Sequence, residues 1–131
     1  DGTPLSDMQK WYPGDEYVDI IGEDIYPGEH VYTSQISKYL NAATNYSTGH
    51  KLVYMTENGC VFDPELAKRD GAMWGMWCTW QGEFVVKSMS IITLDETYTE
   101  EEMLKKAYND EDVITLEDLP DLKTYPIREG F

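Results

Sequence analysis

Three hydrophobic runs rich in β-branched and aromatic residues alternate along this chain with segments of helical periodicity. The runs cover residues 17–26, closed by Pro27-Gly28; residues 52–57; and residues 73–80, closed by Gln81-Gly82. Between the first two, Ile36, Tyr39, Leu40 and Ala43 recur at helical spacing. Ser34 is a candidate N-cap for that helix, which runs to Asn45, with Gly49 ending the segment. Between the second and third, Asp63-Pro64 is a capping residue followed by proline at the first helical position, and Gly71 stops a short helix over residues 65–70. Strand–helix–strand alternation implies a parallel sheet with right-handed crossovers. Near-continuous apolar strands fit a sheet covered on both faces. A last helix is expected from Thr99, where Thr99 and Glu102 have capping-box spacing and Met103, Leu104 and Ala107 supply an apolar side. Residues 113–119 are expected to close the chain as a loop with one turn of helix. The 131 residues suffice for one domain. Three units make either a small open sheet or part of a larger barrel, since a complete eight-unit barrel typically needs about 250 residues.

Charge narrows the partners. Twenty-five acids against ten bases leave a net charge of −15, which disfavours nucleic acid and anionic membrane surfaces, because phosphate binding needs clustered Lys or Arg. Neutral substrates such as sugars fit better. Part of the excess, Glu100-Glu101-Glu102 with Glu111, Asp112, Glu117 and Asp118, reads as solvated surface. At 41% hydrophobic and 13% aromatic residues the chain can bury a core. No apolar run approaches the roughly 18–20 residues of a membrane helix. No leader opens the sequence, so the protein is cytosolic or its leader lies outside these residues. Cys60 and Cys78 do not make a disulfide framework or a four-ligand metal site; they either pair with each other or stay free. Asn45-Tyr46-Ser47 fits the glycosylation acceptor pattern, which is frequent by chance.

In a parallel α/β sheet the carboxyl ends of the strands face the active site. The second run, Lys51-Leu52-Val53-Tyr54-Met55-Thr56-Glu57-Asn58-Gly59, ends in an acid and then turns at a glycine. Strict alternation puts Tyr26, Asp24, Gly22 and Ile20 on one face, Glu57 with Met55 and Val53, and Trp80 with Cys78, Met76 and Trp74. If those faces are all interior, Tyr26, Glu57 and Trp80 stand side by side at the rim. A carboxylate there can serve as a glycosidase nucleophile or base, a phenol can hydrogen-bond it, and an indole can stack on a sugar ring. The plainer alternatives are that Trp74, Trp77 and Trp80 are core and that Tyr26 ends a strand. Glu57 fits a plain structural role less well, because buried unpaired acids are costly. Glu23 falls by parity on the helix side, where an apolar or small residue would be easier to bury.

These residues carry a resemblance. Residues 11–22, Trp11-Tyr12-Pro13-Gly14-Asp15-Glu16-Tyr17-Val18-Asp19-Ile20-Ile21-Gly22, resemble the approach to the sixth strand of family-26 glycoside hydrolases, the β-mannanase family. Asp24-Ile25-Tyr26 is similar to that strand's Asp-x-Tyr end. Thr56-Glu57-Asn58-Gly59 resembles the seventh-strand nucleophile motif, and Trp77-Cys78-Thr79-Trp80-Gln81-Gly82-Glu83-Phe84 the eighth strand. Residues 112–120 resemble the closing segment. The resemblance implies the last three βα units of a (β/α)8 barrel, with residues 1–131 forming the C-terminal portion of a secreted bacterial endo-β-1,4-mannanase acting with retention. Some family members act on mixed-linkage glucans or xylans instead. Carried over, Glu57 is the nucleophile, Tyr26 its hydrogen-bond partner and Trp80 the residue that stacks on the sugar; no metal and no cofactor is implied. The family's acid/base Glu, usually preceded by His at the fourth strand, has no counterpart here. Retaining hydrolysis needs two carboxyls about 5–5.5 Å apart, and Asp24 lies two residues below Tyr26. The isolated chain is therefore expected to have little or no activity, and its open sheet edges to be met by a complementary half-barrel chain or by self-association. A non-catalytic module that grips a glycan with Trp74, Trp77, Trp80 and Tyr26 is the alternative. A flavodoxin-like domain is disfavoured, because no glycine-rich phosphate loop follows any strand.

Overall fold

A computed structural model describes residues 7, 9–46, 51–88, 91 and 93–125; Ser47 and Gly49, named above, lie outside them. The expected alternation is present as β1 (Ile20–Ile25), α1 (Ile36–Asn45), β2 (Leu52–Asn58), α2 (Pro64–Asp70) and β3 (Trp77–Thr79). The sheet order is β1-β2-β3 and both pairings are parallel. All three carboxyl ends therefore lie along one edge of the sheet. An antiparallel hairpin follows, β4 (Val86–Ser88) with β5 (Thr93–Leu94), then α3 (Glu101–Tyr108) and a 3-10 turn at Leu116–Asp118.

One face of the sheet carries the core. Ile21, Ile25, Val53 and Met55 are buried there against α1, α2, Phe62 and Trp74. Burying a side chain such as Met55 contributes roughly 1.5–3 kcal/mol. Trp74 and Trp77 belong to this layer, as the plainer reading of the sequence had it. Trp74 meets Tyr39 edge-on at 5.3 Å and donates its indole N–H to the Ser34 carbonyl at 2.9 Å. Trp77 lies edge-on to Phe62 and Tyr108 at 5.3 and 5.7 Å. The α2 signals hold in full: the Asp63 carboxylate accepts from the Glu65 N–H at 3.0 Å, Pro64 opens the helix, and Gly71 closes it at φ 76°. On α3, Met103 and Ala107 are buried against Val61, and Lys106 reaches back to Asp63 and Glu65 at 2.8 and 2.6 Å.

Several boundaries differ from the sequence expectation, each for a local reason. The chain enters β1 later than residue 17 because Asp15–Tyr17 forms a 3-10 turn, held by the Lys51 ammonium on the Asp15 and Val18 carbonyls. β3 is shorter than residues 73–80, because residues 72–75 run as turn and irregular backbone that leave Trp74 in the helix layer. α1 starts two residues after Ser34. Gln35 adopts the left-handed conformation at φ 55°, and the Ser34 hydroxyl donates to Asp70 at 2.5 Å instead of capping. On α1, Ala42 is fully buried and Leu40 is exposed, so the apolar face runs Ile36, Tyr39, Ala42, Ala43 and Tyr46. Thr99 makes no capping box: it is buried, and its hydroxyl accepts from the Val61 N–H at 3.2 Å. The capping box present is Thr115 with Asp118.

Glu23 occupies the helix-side position that parity assigns it. It is 7% exposed, and one carboxylate oxygen has no hydrogen-bond partner. Burial pushes its carboxyl above the ordinary range, against the opposing pull of the Lys38 charge. A folded-state value above the unfolded one means that the fold favours the protonated form. The resulting penalty is absent at low pH and grows as pH rises through the carboxylate range. Glu23→Gln should therefore raise the urea midpoint at pH 7, and the gain should vanish below about pH 4.

Candidate functional site

Register decides which side chains reach the rim. From Ile20↔Leu52 to Glu23↔Met55 the β1–β2 pairing is regular, and then Asp24 pairs with Glu57, leaving Thr56 as an extra residue. A bulge of this kind re-aims the residues beyond it. Val53 and Met55 consequently face the helices, and Glu57 does not share their face, contrary to strict alternation. Glu57 comes level with Asp24, on the open side of the sheet. The bulge has its own support: the Thr56 hydroxyl donates to Asp24 at 2.8 Å. Gly22 makes room for it, since a Cβ there would lie 2.5 Å from the Thr56 methyl.

Tyr26 and Glu57 meet as expected, with the phenol donating to the Glu57 carboxylate at 2.8 Å. Desolvation, then the hydrogen bond to Glu57, then the Glu57 and Asp24 charges push the Tyr26 phenol up to about 12. It therefore stays a hydrogen-bond donor across the working range of pH. Trp80 sits at the neighbouring tip. Its backbone N–H donates to the Asn58 carbonyl at 2.8 Å, and the residue is 44% exposed. Trp74, expected on the Trp80 face, is instead in the core. Cys60 and Cys78 are both free; Cys60 is buried and donates to the Tyr98 carbonyl at 3.1 Å, and Cys78 is exposed.

Residues without an assigned role in the sequence reading hold this rim together. Asn58 is fully buried, and its amide donates to the Cys60 carbonyl and the Thr79 hydroxyl, both at 3.0 Å. The Gly59 N–H donates to the Ile25 carbonyl at 3.1 Å. The tips of β1, β2 and β3 are thus joined directly. His30, at φ 56°, brings the loop after β1 against residues 96–98 through its ring to the Glu96 carbonyl at 2.8 Å and its N–H to the Tyr98 carbonyl at 3.0 Å. Asn58 follows the acid directly in sequence, which is the one signal that marked it. Phe84, which walls the Tyr26 ring, and Tyr98, which backs Phe84, come from segments with no period to reveal them. Among the described residues, no group of three His, Cys, Asp or Glu is placed to hold a metal ion, and no helix is long and apolar enough to cross a membrane.

A parallel β/α sheet that gathers an acid, a phenol and an exposed indole at the carboxyl ends of its strands has the layout of α/β proteins whose sites lie at that end. Residues 3–115 match Glycosyl hydrolase family 26, and the chain belongs to that family. It is similar to mannan endo-1,4-beta-mannosidase B of Piromyces sp, 30% identical over 117 residues, 88% of this chain and 19% of that protein. It is also similar to mannan endo-1,4-beta-mannosidase A of Piromyces sp, 31% identical over 105 residues, 80% of this chain and 16% of that protein. Among solved structures it resembles the beta-mannanase from a symbiotic protist of the termite Reticulitermes speratus, complexed with gluco-manno-oligosaccharide. There the TM-score is 0.74 at 33% identity, covering 91% of this chain and 33% of that one. The chain thus spans less than a fifth of the length of these curated relatives and a third of that structure.

Because Asn58 satisfies two groups at once, Asn58→Ala should cost about 1–3 kcal/mol. Chemical denaturation should show the loss, and Tyr26→Phe, which removes one exposed hydrogen bond, should cost less.

Proposed function

We propose that this chain is the nucleophile-bearing part of a retaining endo-β-1,4-mannanase-type glycoside hydrolase, forming about the last three βα units of a (β/α)8 barrel. The observation that carries the reading is the Tyr26–Glu57 hydrogen bond of 2.8 Å at the carboxyl ends of a parallel sheet, in a chain of a glycoside hydrolase family. In this reading Glu57 attacks the anomeric carbon as the glycosidic bond breaks. The departing oxygen takes a proton from a carboxylic acid on another part of the enzyme. Water then releases the sugar from Glu57 with retained configuration. Tyr26 holds the carboxylate in its attacking orientation, and Trp80 offers its face to the sugar ring beside the scissile bond.

Asp24 is Glu57's register partner on the neighbouring strand. The two therefore stand side by side on one wall, whereas a retaining pair must flank the bond. The open face of the sheet supports the barrel reading: Ile20 and Leu52 are 42% and 58% exposed, and β1 and β3 keep free outer edges among the described residues. Further βα units, a complementary chain or a second copy would cover both. The substrate proposed is β-mannan; mixed-linkage glucan and xylan are the alternatives within the family. A polymer of that size implies a secreted protein.

The second reading, a non-catalytic glycan-binding module, draws on the exposed indole of Trp80. Glu57→Gln separates the two. In an active enzyme containing this chain, it should lower mannan hydrolysis by a factor on the order of 10⁴ or more and leave oligosaccharide binding largely intact. Activity that survives the substitution would end the nucleophile assignment. The 131-residue chain alone should release no reducing sugar from mannan; turnover that depends on Glu57 would show that a second acid is already present.

A further inference from the structure

Tyr26 is 38% exposed, yet its hydroxyl must stay at one point to meet Glu57. Two features converge on its ring. Below it lies Gly59, where a Cβ would come 2.7 Å from Tyr26 Cδ1 and 3.1 Å from Phe84 Cε1. Beside it lies Phe84, edge-on with ring centroids 5.5 Å apart, a geometry that aromatic quadrupoles favour. Phe84 is itself held, its ring packed at a tilt of 35° on Tyr98 with centroids 4.2 Å apart, and carried by the 3-10 turn Gly82–Phe84, which Gly82 enters at φ 70°. That turn begins two residues after Trp80, so one short loop supplies both the exposed indole and the wall for the phenol.

We propose that Gly59 and Phe84 form a clamp that fixes the Tyr26 ring in the rotamer that hydrogen-bonds Glu57, making Phe84 a positioning residue of this site. The proposal rests on the reading of Glu57 as the site's working carboxylate and adds what orients it. Gly59 is outside the left-handed region, so alanine there needs no left-handed backbone; the atoms nearest its methyl group belong to the two rings. Leucine at position 84 keeps bulk but removes the ring edge.

The test uses the 131-residue chain labelled with 13C at the tyrosine ζ carbon and observed by NMR, with Tyr26→Phe assigning the signal. At about pH 11 an ordinary tyrosine is roughly nine-tenths ionised, whereas the Tyr26 phenol, pushed up to about 12, should be ionised only in a minor fraction. Gly59→Ala and Phe84→Leu should each raise that fraction to about half, and Phe84→Tyr, which keeps the ring, should leave it low. In a Glu57→Gln background the effect of Phe84→Leu should shrink to under about half, since contacts that act through a shared partner are not additive. An equal effect in both backgrounds would mean that Phe84 only shields the phenol, and the clamp would be refuted; so would unmoved titration in both clamp variants. If Gly59→Ala fails to fold, Phe84→Leu and its double variant decide alone. A separate result, Glu57→Gln leaving Tyr26 unmoved, would remove the Tyr26–Glu57 pair and with it the basis of both proposals.

Discussion

The bulge at Thr56 is the constraint on which the site depends. A strand that keeps strict alternation cannot bury Val53 and Met55 against the helices and also turn Glu57 to the open side. One extra residue resolves the conflict: the apolar part of β2 stays in the core and the acid beyond it changes face. Gly22 on β1 and the Thr56–Asp24 hydrogen bond are the local adjustments that make the irregularity tolerable. Bulges beside functional groups commonly serve this purpose, re-aiming a side chain at small cost to the ladder.

Much of this was legible in the residues. The order of strands and helices followed from hydrophobic runs and their punctuation, and Asp63, Pro64 and Gly71 marked the limits of α2 because each acts through its own backbone. The pairing of Tyr26 with Glu57 was reached by a count that was right at the rim and wrong along β2, because a period-two pattern carries no mark of a bulge. The hairpin of β4 and β5 went unread, its strands being three and two residues long. Thr99 had the spacing of a cap but was drawn instead into satisfying a buried backbone N–H. In that case a tertiary demand overrode a local preference.

Electrostatics divides the molecule between a tolerant surface and an intolerant interior. Ion pairs such as Lys105–Glu101 and Lys68–Asp112 are exposed and are worth little individually. Against a net charge of −15, they mainly relieve local repulsion. The buried polar groups matter more: the Asn58 amide nitrogen is satisfied, whereas the Asn58 carbonyl oxygen and one Glu23 carboxylate oxygen have no partner and carry a cost.

The contacts of Tyr98 bear on how the chain folds. Its carbonyl receives both the His30 N–H and the Cys60 thiol, and its ring backs Phe84. These partners lie 68, 38 and 14 residues upstream by their numbers. The three strands can pair through local crossovers, but the surroundings of their tips are not complete until a segment well past β3 has docked. Closing loops of that length carries an entropic cost before the contacts repay it. The rim should therefore be among the last parts of the molecule to become ordered.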